Sequence, residues 1–371
     1  MTDATDRQNK LIDQRNIIRT KGVRIFFAWT PLQILMATAA AYTLPETHLV
    51  FIWAGPKKVA WKELMSKCSV WDDVIDFSKW GQIGFWEYIK HYDNIYRDLQ
   101  ELFTKKLANY DIQEVAIASD DEYLSLILFR AYKETFNRSL WKRVSLLEDG
   151  MGLYLRTNHD LFVRHLTKLG ISIVLRKRIQ PLTLKYFSTN PLIRKIYATS
   201  PESVPQQQEK QIINISSEFK EVILTFSESI NGVSPLPLGS GLILSETFSP
   251  TAGSIQEEKR LINDMVAFLK KRCRNENIFV KYHHYDPPYK RDIFRSYGVK
   301  ELICPNLPYE LLHPHLKPEY LISYWSSALV YSFMLGYPGQ FVAFCGSYGN
   351  CRRSLYRRTA EFYSHHGIEV I

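Results

Sequence analysis

Short apolar runs alternate along this chain with longer stretches in which apolar residues recur at helical spacing. In the first half, residues 23–29, 48–53, 114–118 and 144–147 predict buried strands, and residues 31–42 and 85–108 predict helices. A polar, proline-containing stretch follows at 200–211, with the composition of a linker. The alternation then restarts. Strands are predicted at 241–244, 278–282, 301–304, 320–324 and 340–345, with helices at 255–272 and 352–366. This pattern implies βαβ units and parallel sheets covered on both faces. The expected fold is α/β, with two Rossmann-like halves. The segments are a mobile tail at 1–21, a first domain at 22–199, the linker at 200–211, a second domain at 212–351 and a final helix at 352–371.

One apolar stretch, 25–44, is roughly the ~20 residues that span a bilayer. Pro31 and Gln33 interrupt it, and Thr30-Pro31 is a good N-cap and first-turn pair. A strand, a turn and a soluble helix is the expectation. The N-terminal tail mixes Asp3, Asp6 and Asp13 with Arg7, Lys10, Arg15 and Arg19, without the apolar centre of a secretory signal.

Composition adds a partner class. The chain has 371 residues, 47 Lys and Arg against 38 Asp and Glu, and a formal charge of +9. An anionic partner follows: nucleic acid, a membrane surface, or a substrate bearing phosphate or carboxylate. The charge is not spread evenly. Residues 161–201 contain no acid but carry Arg164, Lys168, Arg176, Lys177, Arg178, Lys185, Arg194 and Lys195, interleaved with apolar side chains. That surface suits an anionic membrane or an anionic glycan, with an ordinary solvated helical face as the alternative. No nucleic-acid module accompanies it, so nucleic acid is not the expected partner. The five cysteines form no C-x-x-C pair, which points to reduced thiols in the cytoplasm.

In parallel sheets, ligands bind beyond the carboxyl ends of the strands, so polar residues there are the candidates for chemistry. The chain has no P-loop, no G-x-G-x-x-G and no D-x-D. Glu148-Asp149-Gly150 follows an apolar strand. Two adjacent acids tend to raise one pKa, which suits a general base, though acids also cap helices. Lys281, His283, His284 and Asp286 follow a second strand and precede a double proline. They suit anion binding and proton transfer, or form a plain polar loop; only one of the two histidines should face a cleft. Ser326-Ser327 sit where a strand meets a helix, as a phosphate site or as an N-cap. Glu310 opens a short helix and could reach a ribose diol.

The order of these features resembles the bacterial sialyltransferases of GT-B fold, the lipooligosaccharide sialyltransferase and capsular polysialyltransferase group. That group carries an acid-acid-Gly motif, a Lys-Pro-His-Pro motif and a Ser-Ser motif; the opening FFAWTPLQILMATAAA also resembles its first strand and helix. The resemblance implies two domains facing a central cleft. It implies an inverting, metal-independent transfer of sialic acid from CMP-sialic acid to a glycan hydroxyl. The acceptor would be an anionic or lipid-linked surface glycan, met by a cytoplasmic enzyme lying peripherally on the inner membrane face. No cofactor beyond the donor is implied. One of Glu148 and Asp149 would be the base, with Glu148 preferred, and His283 would stabilise or protonate the departing phosphate. Lys281 would contact the cytosine, Glu310 the ribose, and Ser326 and Ser327 the phosphate, with His284 beside them. Arg176, Lys177, Arg178, Lys185, Arg194 and Lys195 would face the acceptor or the membrane. The chain departs from the group at Tyr282-His283-His284, where both motif prolines are missing; His313-Pro314 reads as a loop element. The other readings are a GT-B enzyme using another nucleotide sugar, and a non-catalytic relative that binds anionic glycan.

Overall fold

The run KGVRIFFA forms β1 (Lys21–Ala28), and Val23, Ile25, Phe26, Phe27 and Ala28 are all buried in it. A strand apolar on both faces belongs at the centre of a parallel sheet, and β1 lies there. The structure, a computed structural model, describes residues 21–44, 48–55, 65, 68–80, 85–118, 123–136, 143–150, 152–155, 193–205, 210–246, 255–283, 286–304, 307–345 and 353–371. The tail before β1 lies outside them.

Helix α1 (Pro31–Tyr42) starts as the sequence predicts. The Thr30 hydroxyl accepts from the Gln33 N–H at 3.3 Å, and Gln33 Oε1 accepts from the Thr30 N–H at 3.3 Å as well as from the Trp29 N–H at 2.7 Å. This capping box explains Thr30-Pro31-x-Gln33 as a helix start. Residues Gln33 through Ala41 are all buried, so the apolar stretch is a core helix. Among the described residues, no helix is long and apolar enough to cross a membrane.

The first sheet continues with β2 (His48–Trp53), β3 (Asp73–Asp76), β4 (Tyr110–Ile117), β5 (Val144–Leu147), β6 (Ile193–Ala198) and β7 (Gln211–Asn214). Its order is β3-β2-β1-β4-β5-β6-β7. Helices α2 (Phe85–Glu101), α3 (Tyr123–Phe136) and the single turn α4 (Gly152–Leu155) belong to this half of the sequence. The helix predicted at 85–108 is α-helical to Glu101 and continues as a π-helical turn over Leu102–Lys106.

The second sheet contains β8 (Gly241–Leu244), β9 (Ile278–Lys281), β10 (Lys300–Glu301), β11 (Tyr320–Ser323), β12 (Gln340–Ala343) and β13 (Glu369–Val370). Its order is β10-β9-β8-β11-β12-β13, and every neighbouring pair is parallel. The chain therefore reverses its direction of travel between β8 and β11, the switch point where such sheets bind ligands. The helices are α5 (Ser216–Glu228), α6 (Ile255–Lys270), α7 (Pro288–Ser296), α8 (Tyr309–Leu316), α9 (Ser327–Met334) and α10 (Arg353–His365). Helix α6 buries Leu261, Ile262, Met265, Val266 and Leu269 against Ile243, Val280 and Ile322 of the sheet. Its approach is close: a Cβ at Gly241 would lie 2.6 Å from Leu269 Cδ2.

Two corrections concern this half. The strand predicted at 301–304 ends at Glu301, and beyond it only the Leu302 N–H still reaches β9, at Val280 O. His313-Pro314, read as a loop, lies within α8, where the proline forgoes the backbone bond that an N–H at this position would give to the Glu310 carbonyl.

The described residues pack into two compact units. The first holds those up to Leu147, with most of β6 and β7. The second holds Asn214–Ile371 together with the segments that begin at Glu148 and at Ala198. The acid pair thus packs with the second unit, although it follows a strand of the first.

Candidate active site

Within the second unit, α9 starts where β11 ends. Ser326 is its N-cap, and its hydroxyl accepts from the Ala328 N–H at 3.3 Å. The positive end of the helix dipole at that terminus favours an anion. The turn carrying the acid pair lies against it. Gly150 has a φ of 61°, and a Cβ there would sit 3.1 Å from Ser327 Oγ. A left-handed turn in close contact with a hydroxyl is where glycine is required. Two motifs far apart in sequence are thereby adjacent.

The two acids differ sharply in environment. Glu148 is 1% exposed. Its Oε2 accepts from the Thr199 N–H at 2.5 Å and hydroxyl at 2.8 Å, and its Oε1 accepts from Tyr331 OH at 2.7 Å. Burial pushes its pKa up, opposed by these bonds from Thr199 and Tyr331 and by one from Tyr154. This carboxyl ties together the segments of Thr199 and Tyr331 with its own. Asp149 is half-buried beside the Gly150 turn. Nearby, Tyr154 stacks on Phe362 of α10, and Ser200 Oγ lies 2.8 Å from His366 Nε2.

On the β9 side, Lys281 closes the strand, and the following turn holds His283 half-buried. Asp286 fixes that turn: its Oδ2 accepts from the His283 N–H at 2.9 Å. Its Oδ1 accepts from Lys290 Nζ at 2.9 Å. Lys290, 1% exposed, also pairs with Glu258 at 2.7 Å and donates to the carbonyl of Glu246. A buried ammonium with three anionic or carbonyl partners is well compensated. The double proline at 287–288 starts α7, with Pro288 in its first turn. His284 lies outside the described residues.

Glu310, in the first turn of α8, is 5% exposed. Burial pushes its pKa up, while its own N–H and the charge of Lys281 act against the rise. Glu246 was missed from sequence. It follows β8 at the switch point, and burial pushes its pKa up to about 7. An acid ending a short apolar strand is the same signal that drew attention to Glu148, and could have found it. Among the described residues, no cluster of three or more His, Cys, Asp or Glu is arranged to hold a metal ion.

The basic surface is only partly described. Arg176, Lys177, Arg178 and Lys185 lie outside the described residues, and Arg194 is exposed on β6. Lys195 lies on β6 as well, half-buried. Its Nζ is 2.8 Å from Glu114 Oε2, which also takes Arg24 at 2.8 Å, while Tyr197 OH donates to Oε1 at 2.8 Å. Lys195 thus takes part in a cross-strand network.

Two parallel Rossmann-like sheets, the second with polar residues gathered at its strand ends, make up the GT-B fold. The family model described as alpha-2,8-polysialyltransferase (POLYST) matches residues 24–336, and the chain belongs to that family. It is a glycosyltransferase of the sialyltransferase kind. Among solved structures, it is similar to a putative UDP-N-acetylglucosamine 2-epimerase from Listeria monocytogenes, at 11% identity. That match covers 93% of this chain and 88% of the other, with a TM-score of 0.53. The UDP-GlcNAc 2-epimerase from Neisseria meningitidis matches at 13% identity over 93% and 91%, with a TM-score of 0.50. An alpha/beta-galactoside alpha-2,3-sialyltransferase from Photobacterium phosphoreum matches at 11% identity over 95% and 99%, with a TM-score of 0.49. The likenesses to the two epimerases report the fold. A comparison with curated proteins by sequence finds no match.

Proposed function

We propose that the chain transfers sialic acid from CMP-sialic acid to a hydroxyl of an anionic surface glycan, with inversion and without a metal ion. The observation that carries this reading is the packing of the Asp149-Gly150 turn against Ser327 at the start of α9, in a member of the polysialyltransferase family. An acceptor base and a phosphate site are needed within one sugar's reach, and these two segments supply them.

The donor's phosphate would take the amides of α9 and the Ser327 hydroxyl, where the helix dipole favours negative charge. Lys281 and His283 would add positive charge or a proton as that phosphate leaves. Buried Glu310 would accept from ribose hydroxyls, and Lys281 would also reach the base. Asp149, the more accessible acid, would take the acceptor's proton, while Glu148 fixes the turn. Attack on the face opposite the leaving phosphate gives inversion in one displacement. Arg176, Lys177, Arg178, Lys185 and Arg194 would meet the anionic acceptor or the inner face of the cytoplasmic membrane.

The test is release of cytidine monophosphate when the full chain is given CMP-sialic acid and a panel of lactosides and oligosialic acids. The reading predicts release that depends on the acceptor. Release from another nucleotide sugar but not from CMP-sialic acid would refute the donor.

A further inference from the structure

Helix α10 begins beyond residue 336, where the family match ends, yet its buried side chains reach both parts of the proposed site. Tyr363, fully buried, donates from its hydroxyl to the carbonyl of Ser326, the N-cap of α9, at 3.1 Å. Phe362 and His366, four residues apart, share a neighbouring face. The Phe362 ring stacks on Tyr154 at 4.8 Å between centroids, and Tyr154 closely follows the acid turn in sequence. His366 closes a chain of hydrogen bonds back to the same segment. Its Nδ1 is 2.8 Å from the Phe362 carbonyl, which can only accept, so in the neutral ring Nδ1 carries the proton and Nε2 accepts. Ser200 Oγ lies 2.8 Å from that Nε2 and donates to it; the Met334 thioether, 3.8 Å from the same hydroxyl, is the weaker acceptor. The Ser200 N–H in turn donates to Tyr154 OH at 3.2 Å, and the adjacent Thr199 holds Glu148.

We propose that α10 is a positioning element of the active site: Tyr363 sets the start of α9, His366 sets the acid turn, and one helix thereby fixes the spacing between them. The proposal rests on the transferase reading above. Neither residue needs to touch donor or acceptor. Tyr363 acts through the Ser326 backbone, and His366 acts through Ser200 and its neighbour Thr199 on Glu148. A role in packing alone would be met by apolar side chains, whereas both contacts are directed hydrogen bonds from buried polar groups. Direction matters here because a base must lie within about 3 Å of the proton it takes. A drift of about 1 Å in the acid turn can cost on the order of 100-fold in rate while the donor still binds.

Steady-state kinetics of the full chain with CMP-sialic acid and an oligosialic acid acceptor, paired with calorimetric titration by cytidine monophosphate, test this. His366→Leu removes the acceptor for the Ser200 hydroxyl and should lower kcat about tenfold, with the Kd for cytidine monophosphate within about twofold of wild type. His366→Gln, whose side-chain oxygen can accept from the same hydroxyl, should restore kcat to within about threefold. Should His366→Leu not fold, Ser200→Ala removes the same bond from the other side. Tyr363→Phe keeps the ring, loses only the bond to the Ser326 carbonyl, and should lower kcat about fivefold with little change in the donor KM. Wild-type kcat in both His366→Leu and Tyr363→Phe would overturn the inference and leave the transferase reading standing. Parallel loss of kcat and of cytidine monophosphate binding in both would also overturn it, as the mark of a merely structural role. No acceptor-dependent release from wild type would overturn it together with the proposed function.

Discussion

Asp149 and Glu148 are neighbours in sequence, yet one is half-buried and the other fully buried, and the proposed reading gives them different work. Replacing Asp149 by Asn should lower kcat about 100-fold or more, the usual contribution of a general base, with little change in thermal midpoint. Glu148 should behave in the opposite sense. Tyr331→Phe removes one of its hydroxyl donors and should cost roughly 1.5–3 kcal/mol in urea unfolding, since the partner left behind is a buried carboxyl. Gly150→Ala should be destabilising by about 1–2 kcal/mol, because its φ of 61° is a left-handed conformation. Glu246 gives a pH signature. Burial raises its folded pKa from the ordinary glutamate range of about 4.5 to about 7, so the folded chain holds a proton that the unfolded chain releases. Stability from this group is full below about pH 4.5 and is lost as the pH rises through about 7. Glu246→Gln should flatten the decline of the urea midpoint across that window, recovering on the order of 1–3 kcal/mol at its upper end.

At the scale of elements, apolar runs with clear ends were easy to read. The strands at His48–Trp53, Val144–Leu147 and Gly241–Leu244 match their predicted bounds, because each is a short buried run flanked by polar residues. The missed strands β3, β6, β7 and β13 are edge or near-edge elements with charged or polar positions, such as Asp73-Val74-Ile75-Asp76. Their pairing comes from the neighbouring strand more than from their own pattern. The motifs at strand ends were legible; what surrounds them was not. Nothing in local spacing says that Thr199 and Tyr331 enclose Glu148, or that Lys290 joins Glu258, Asp286 and the Glu246 carbonyl. Those contacts depend on how elements assemble. Lys290 offers the matching test: Lys290→Met strands two buried acids and should cost about 3–5 kcal/mol, with loosening of the His283 turn seen as faster amide exchange there.

For the molecule as a whole, the positive charge and the family membership point the same way. The formal charge of +9 is concentrated in an acid-free segment, and an alpha-2,8-polysialyltransferase family model covers residues 24–336. Charge reversal at Arg176, Lys177 and Arg178 should weaken binding to anionic vesicles or to oligosialic acid while leaving hydrolysis of the donor intact. Unchanged binding would remove that segment from the acceptor or membrane role. The central claim is sialyl transfer with Asp149 as base. It is tested most directly by incubating wild type and Asp149→Asn with CMP-sialic acid and an oligosialic acid acceptor, following release of cytidine monophosphate and product mass. The account predicts acceptor-dependent release, a product one or more sialic acids longer, and loss of both in Asp149→Asn. Full activity in that variant, or no acceptor-dependent release from wild type, would contradict it.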